Sequence, residues 1–250
     1  MQPITSAGLE LLRSSLINKD LVFLDGFHAV KHSARFGADI GLVACANEAK
    51  LQELADSLAP DIAGELTSMA KAIDKKDVKK IGEMRSHWTG VWGVASRPKY
   101  TVEDILASPG PIVLLENPQN GGNIGACIRV AAAASAAGVL IVGGADPWEP
   151  AVIRGAAGLQ FAIPIANLES LTSLTDITRP IVAIDPEGED IAIAVMPDQP
   201  ILAFGTEREG LSDQLTAFAT TRVKLPMKEG VSSVNLAVAV GIVLYSQALR

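Results

Sequence analysis

Asn123, Gly125 and Arg129 stand as N-x-G-x-x-x-R inside NPQNGGNIGACIR, residues 117–129, directly after the apolar run Ile112–Leu115. Glycines that follow a strand let the backbone approach a ligand closely, and the helix N-terminus behind them favours an anion. Arg129 falls one to two turns into a helix otherwise built of Ala, Val and Ile, so its guanidinium is expected to have a defined partner. The competing account is an arginine that snorkels from a packed helix. The dinucleotide fingerprint G-x-G-x-x-G and the G-K-[ST] ending of a phosphate loop are both absent.

Two further polar stretches close apolar runs near the end of the chain. Ile201–Phe204 ends at Gly205, and FGTEREGLS then carries Glu207 and Glu209 on either side of Arg208 before Gly210. A carboxylate in such a loop could bind a substrate or orient a base, although an isolated E-x-E is more commonly a solvated charged loop. The strand Arg222–Leu225 breaks at Pro226 and turns over Lys228–Glu229–Gly230. Ser232 and Ser233 read as N-caps of a helix starting near Val234. That helix is apolar on nearly every face from Leu236 to Tyr245 and reads as a core helix, within which the amide of Asn235 must find partners. Two strand ends and one helix N-terminus are thus expected to converge on one pocket.

The elements needed to position these groups are legible as alternating runs. In the first hundred residues, LELLRSSLI reads as a short amphipathic helix. Leu21–Leu24, Ile40–Cys45 and Val91–Ala95 read as strands, and Gly26–Arg35, Asn47–Leu58 and Lys75–Met84 as helices. These compose a small α/β or α+β domain over residues 1–97, followed by a linker over 98–110 with Pro98 and Pro109 at its edges. From residue 111 to 250 the continuously apolar runs Ile112–Leu115, Val139–Val142, Ile181–Ile184, Ile201–Phe204 and Val223–Leu225 alternate with helical stretches such as Ile124–Ala137. Short all-apolar strands separated by helices indicate an α/β domain with a parallel sheet covered on both faces. DPEGED, residues 185–190, reads as an exposed acidic turn.

Composition narrows the class. The chain has 250 residues, 48% of them apolar, and a net charge of −7. Residues 1–100 carry 13 Lys and Arg against 12 Asp and Glu, while residues 101–250 carry 8 against 16. An acidic total argues against non-specific coating of nucleic acid, where phosphate attraction dominates, but allows a local basic face. No run approaches the ~18 apolar residues of a membrane span, and the N-terminus lacks the layout of a secretion signal. Cys45 and Cys127 in apolar surroundings suit buried, reduced thiols and a cytoplasmic protein. His28 and His32 are four apart but lack the Glu of H-E-x-x-H and a third ligand, so they read as helix-face histidines. No G-x-S-x-G is present.

Taken together and in order, the three polar stretches resemble the motifs of the SPOUT superfamily, specifically the TrmH (SpoU) family of RNA ribose 2′-O-methyltransferases. The resemblance covers residues 111–250 and includes VIRGAAGLQFAIPI between the first and second motifs. It implies a Rossmann-like sheet whose tail is threaded into a deep trefoil knot, an exception to unthreaded topology. It also implies S-adenosylmethionine as cofactor, no metal, and transfer of a methyl group to a ribose 2′-hydroxyl of tRNA or rRNA. By motif match the cofactor contacts fall at Gly205, Leu225 and Val234, with Met227 and Gly210 beside them. Asn123, Arg129, Glu207, Ser233 and Asn235 match the catalytic positions. Arg129 is expected to position a phosphate and the hydroxyl, because an arginine free base is excluded by its pKa. Val234 stands where Leu is usual and Ala237 where Ser is common.

FLDGFHAVKHSARFGADIGLVA and VKKIGEMRSHWTGVWGVA resemble, more loosely, the ribosomal-protein-type RNA-binding domain that precedes the knot in this family. Lys75, Lys76, Lys79 and Lys80, with Lys71 and Arg85, would make its basic patch. A solvated helix relieved by Asp74, Asp77 and Glu83 is the plainer alternative. The resemblance further implies a homodimer, and leaves open a relative that binds RNA or cofactor without turnover.

Overall fold

The computed structural model describes residues 1–80, 89–175, 177–206 and 209–249, with backbone alone at Lys75 and Lys80. In chain order the elements are α1 (Ser6–Ser14), β1 (Leu21–Asp25), α2 (Phe27–Arg35), β2 (Ile40–Cys45), α3 (Glu48–Leu58), α4 (Ala63–Met69), β3 (Ala70–Ala72), α5 (Lys75–Lys80) and β4 (Val91–Ser96). There follow α6 (Val102–Ala107), β5 (Ile112–Glu116), α7 (Gly121–Ala133), β6 (Gly138–Val142), α8 (Pro150–Ala156) and β7 (Ile165–Leu168). The last are β8 (Ile181–Asp190), β9 (Ile201–Phe204), α9 (Asp213–Phe218), β10 (Thr221–Lys224) and α10 (Leu236–Ala248).

The chain forms two compact units. The first joins Met1–Pro98 to the segment Trp148–Ala162. Its sheet runs β1-β4-β2-β3, with β4 antiparallel to both neighbours and β3 parallel to β2. Leu24, Phe27, Val30, Val43, Leu51 and Leu66 fill its core and are at most 1% exposed. Segment 148–162 is held by polar contacts as well as packing. Arg154 Nη1 donates to Asp25 Oδ2 at 2.7 Å, and His32 Nδ1 donates to the Ala157 carbonyl at 2.7 Å. Burial holds the His32 pKa below its ordinary value despite that carbonyl. Cys45 and Cys127 are both buried and neither forms a disulfide. Of the basic stretch, Lys76 and Lys79 are exposed, and Lys76 lies 3.3 Å from Asp74. Arg85 and the end of the expected helix Lys75–Met84 lie outside the described residues.

The second unit comprises Lys99–Pro147 and Ile163–Arg250. Its six strands run β10-β8-β9-β5-β6-β7, every adjacent pair parallel. All residues of β5, β6 and β9 are buried, so the centre of the sheet is covered on both faces, as its unbroken apolar runs require. The segment expected as a linker instead contains α6, packed on β6 and β7 through the fully buried Ile105. Thr101 and Asp104 form a capping box there, each side chain bonded to the other's backbone N–H at 3.1 and 2.9 Å. Arg179 fastens this region, its guanidinium donating to the carbonyls of Leu106, Ser108, Gly110 and Gln199.

α10 differs from its expectation. Leu236, Ala237, Val240, Val243 and Leu244 are buried, and the helix packs on α7. Val238, Ile242 and Tyr245 face outward and remain 44–50% exposed. The helix is apolar all round, yet among the described residues only one side of it meets the rest of the unit.

Candidate functional site

The site is assembled where parallel strands end. β9 terminates in Phe204 and passes into Gly205, which has no room for a side chain: a Cβ there would collide with the backbone of Gly210 and Leu211. The described part of the following loop folds on itself. Thr206 and Gly210 exchange backbone hydrogen bonds, both 3.1 Å, and Glu209 N–H donates to Thr206 Oγ1 at 3.0 Å. Gly210 adopts φ +69°, where a side chain would be strained.

The edge of the sheet is irregular in a way that opens a cavity. Thr221 and Arg222 of β10 pair with Val182 and Ala183 of β8, but the next residues, Val223 and Lys224, pair with Glu189 and Asp190. Residues 184–188 leave the ladder between those two stretches. Arg222 holds the excursion, its Nη2 donating to Asp185 Oδ2 at 2.9 Å and Glu187 Oε2 at 3.1 Å. The two carboxylates, Asp185 foremost, hold the Arg222 pKa above its ordinary value. The expected exposed acidic turn is therefore a structured side of the site. Its ion pairs depended on a strand, β10, that reaches it from some 35 residues further on, a pairing no local pattern carries.

Between this excursion, the Gly205 loop and the chain leaving β10 lies a cavity of about 690 Å³. Gly205, Gly210, Leu225, Met227, Ser233 and Val234 all line it, together with Asp185, Glu187 and Arg222. The chain turns back over Lys228 and Val231, with Gly230 at φ +83°, and enters α10 behind the cavity.

The start of α10 differs from expectation in two ways. Ser232 and Ser233 are exposed and do not cap the last helix. The N-cap is Asn235, whose Oδ1 accepts from Ala237 N–H at 3.0 Å, and the helix begins at Leu236. Asn is as strong a cap as Ser, and starting here gives an orphan N–H of an apolar helix a side-chain acceptor. Nor is Asn235 a buried amide: it is exposed, and its Nδ2 donates to Asn123 Oδ1 at 3.0 Å. Asn123 is held in turn by Asn120, the N-cap of α7, whose Oδ1 accepts its backbone N–H at 3.0 Å. The first and third polar stretches are thereby joined.

Arg129 is not drawn into this network. It is exposed on α7 and, among the described residues, makes no hydrogen bond or ion pair. The inward positions of this helix are filled by Ile124, Cys127, Ile128 and Ala131, and Arg129 stands on its exposed side. Glu207 lies outside the described residues. No group of three or more His, Cys, Asp or Glu able to hold a metal occurs among the described residues.

The SpoU rRNA Methylase family model matches residues 110–245. The chain belongs to that family. An uncharacterized tRNA/rRNA methyltransferase of Synechocystis is 32% identical over 155 residues, 58% of this chain and 57% of that protein. A 23S rRNA (adenosine(1067)-2′-O)-methyltransferase of Streptomyces laurentii is 31% identical over 169 residues, 64% of this chain and 62% of that one. The chain thus spans less than two thirds of the length of these two curated relatives. Among solved structures, the SpoU methyltransferase AviRb from Streptomyces viridochromogenes, in complex with the cofactor AdoMet, superposes with a TM-score of 0.77 at 22% identity. That superposition covers 98% of this chain and 99% of AviRb, so this SpoU chain shares its fold nearly end to end.

Proposed function

We propose that this chain transfers a methyl group from S-adenosylmethionine to a ribose 2′-hydroxyl of structured RNA. One observation carries the reading: residues of the second and third family motifs line a single cavity, and Asn235 bonds the third motif to Asn123 of the first. The cavity fits the donor. Its volume lies within the ~300–1,000 Å³ of small-molecule sites, Gly205 leaves the backbone bare, and Asp185 and Glu187 suit a cationic ligand with ribose hydroxyls. The backbones of Gly205, Leu225 and Val234 would hold the donor, with Gly210 and Met227 as walls. The donor supplies a methyl group on a positively charged sulfur. The chain must bring the ribose oxygen into line with it and dispose of the hydroxyl proton.

Arg129 is a permanent cation with a rigid fork of donors, and its exposure suits it to hold an RNA phosphate and the neighbouring hydroxyl. Ser233 lines the cavity, Asn235 follows two residues later with its amide on Asn123, and Glu207 is proposed to orient these polar groups. The narrow passage of β10 beside Gly188, where a Cβ would meet the backbone of Arg222 and Val223, supports a tail threaded as a trefoil knot. Lys76 and Lys79 support the first unit, of ribosomal-protein type, as the RNA-binding domain, with Lys75 and Lys80 beside them in sequence. The outward apolar face of α10 supports a homodimer. Two buried cysteines outside any disulfide and an RNA substrate fit a cytoplasmic protein.

The test is incorporation of tritiated methyl groups into bulk rRNA and tRNA, with Arg129→Ala as control. Labelled 2′-O-methylnucleosides from the unaltered chain alone are expected. Donor binding without incorporation into either pool would instead mark a binding protein without turnover.

A further inference from the structure

Glu116 ends β5 one residue beyond the Leu115–Phe204 pair and is 3% exposed. A carboxylate so placed has lost water and requires donors in return. Both come from one residue of the loop across the sheet: Ser212 N–H donates to Oε2 at 2.8 Å and Ser212 Oγ–H to Oε1 at 2.6 Å. Ser212 Oγ also accepts from Leu215 N–H at 3.1 Å, which makes it the N-cap of α9. The loop that departs from β9 at Gly205 is therefore pinned at its far end by a buried charge on the neighbouring strand. Between the two anchors, Gly205, Thr206, Glu209, Gly210 and Leu211 line the cavity.

We propose that Glu116 is a positioning residue for the methyl donor: by gripping Ser212 it fixes the loop whose backbone forms one side of the cavity. This deepens the preceding proposal and rests on the cavity being the donor site. The chemistry calls for a carboxylate. Two donors converge on it, and a carboxylate accepts both without bringing a proton of its own. An amide of the same shape must turn its NH2 toward either the Ser212 N–H, which repels it, or Ser212 Oγ, which then loses its acceptor.

The experiment compares the full-length chain with Glu116→Gln, Ser212→Ala and the double variant. Calorimetric titration with S-adenosylmethionine is read beside hydrogen exchange at the Thr206, Gly210 and Leu211 amides. Glu116→Gln is expected to weaken donor binding about tenfold and to speed exchange at those three amides while β5 and β9 stay protected. KM for the donor should rise and KM for RNA stay within about twofold, whereas a loss of folded protein would lower kcat alone. The double variant should be little worse than either single one, since both break the same grip. Should Glu116→Gln fail to fold, Ser212→Ala carries the comparison. Unchanged donor affinity and unchanged exchange in a folded variant overturn the proposal. If the unaltered chain takes up no donor, the reading of the cavity fails and the donor role with it; faster exchange would then uphold only the grip on the loop.

Discussion

Asn235 donates from Nδ2 to Asn123 Oδ1 at 3.0 Å, which ties the N-cap of the last helix to the first turn of α7, 112 positions earlier. The same side chain caps α10 through Oδ1. The two duties are separable. Asn235→Ala loses both and should cost about 1 kcal/mol, or roughly 2–4 °C in Tm, by thermal denaturation. Asn235→Asp keeps the capping oxygen but sets a carboxylate against Asn123 Oδ1. Its Tm should stay near that of the unaltered chain while methyl transfer falls to a level near that of the alanine variant.

Arg129 offers the opposite dissociation. An exposed side chain with no partner among the described residues contributes little to stability, so Arg129→Ala should stay within about 0.5 kcal/mol by urea denaturation. Donor affinity should also be unchanged. Methyl transfer to RNA should drop about a hundredfold or more, as misplacement of a reacting group does. A variant that methylates RNA at full rate would remove Arg129 from the mechanism.

Glycines 205 and 210 stand five apart in one loop and fail differently. A Cβ at position 205 meets backbone, which no side-chain rotation relieves, so Gly205→Ala should displace the loop and abolish measurable donor binding by calorimetry. A Cβ at position 210 meets nothing within 4 Å, and only φ +69° opposes it. Gly210→Ala should therefore cost about 1–2 kcal/mol of stability and retain the donor.

His32 gives the first unit a pH dependence of definite sign. Its folded pKa is depressed by burial, so in mild acid the unfolded chain binds the proton more readily. The stabilisation is whole above the unfolded value of about 6.5 and is lost as pH falls through the folded value. The urea midpoint should fall between pH 7.5 and 5.0 by less in His32→Gln than in the unaltered chain, the difference isolating this residue from the carboxylates.

The outer face of α10 predicts an oligomer. Ile242 is 44% exposed amid Val238 and Tyr245 on a helix without a charged residue from Leu236 to Ala248. Ile242→Glu should leave Tm nearly unchanged at low concentration and convert a dimer to a monomer by light scattering at micromolar concentration. An unaltered chain that is already monomeric would contradict the proposed dimer.

Much of this was legible from residue order. The strands Ile40–Cys45 and Ile201–Phe204 occur as read, because an uninterrupted apolar run bounded by turn residues has few other fates. The polar stretches at 204–211 and 225–234 do border one cavity. What escaped depended on distant partners. Arg222 and Asp185 are unremarkable until β10 lies beside the excursion of β8, and Glu116 is simply the last residue of a strand until Ser212 arrives from 96 positions away. A lone acid closing an apolar run was nonetheless a signal, since a buried charge demands donors. Likewise T-V-E-D at Thr101–Asp104 carried a capping box that the flanking prolines obscured. The cap of α10 moved to Asn235 because Asn and Ser compete on nearly equal terms, and only the backbone trace decides between them.

Among the described residues, every one around the 690 Å³ cavity lies between Ile184 and Ala239. During synthesis, then, the first 183 residues leave the ribosome without any part of its lining. A small molecule that occupies it cannot template the early strands or rescue their misfolding, and can act only as a latch once the final stretch has docked. Added ligand should accordingly slow unfolding of the finished protein while leaving the earliest refolding steps at their own pace.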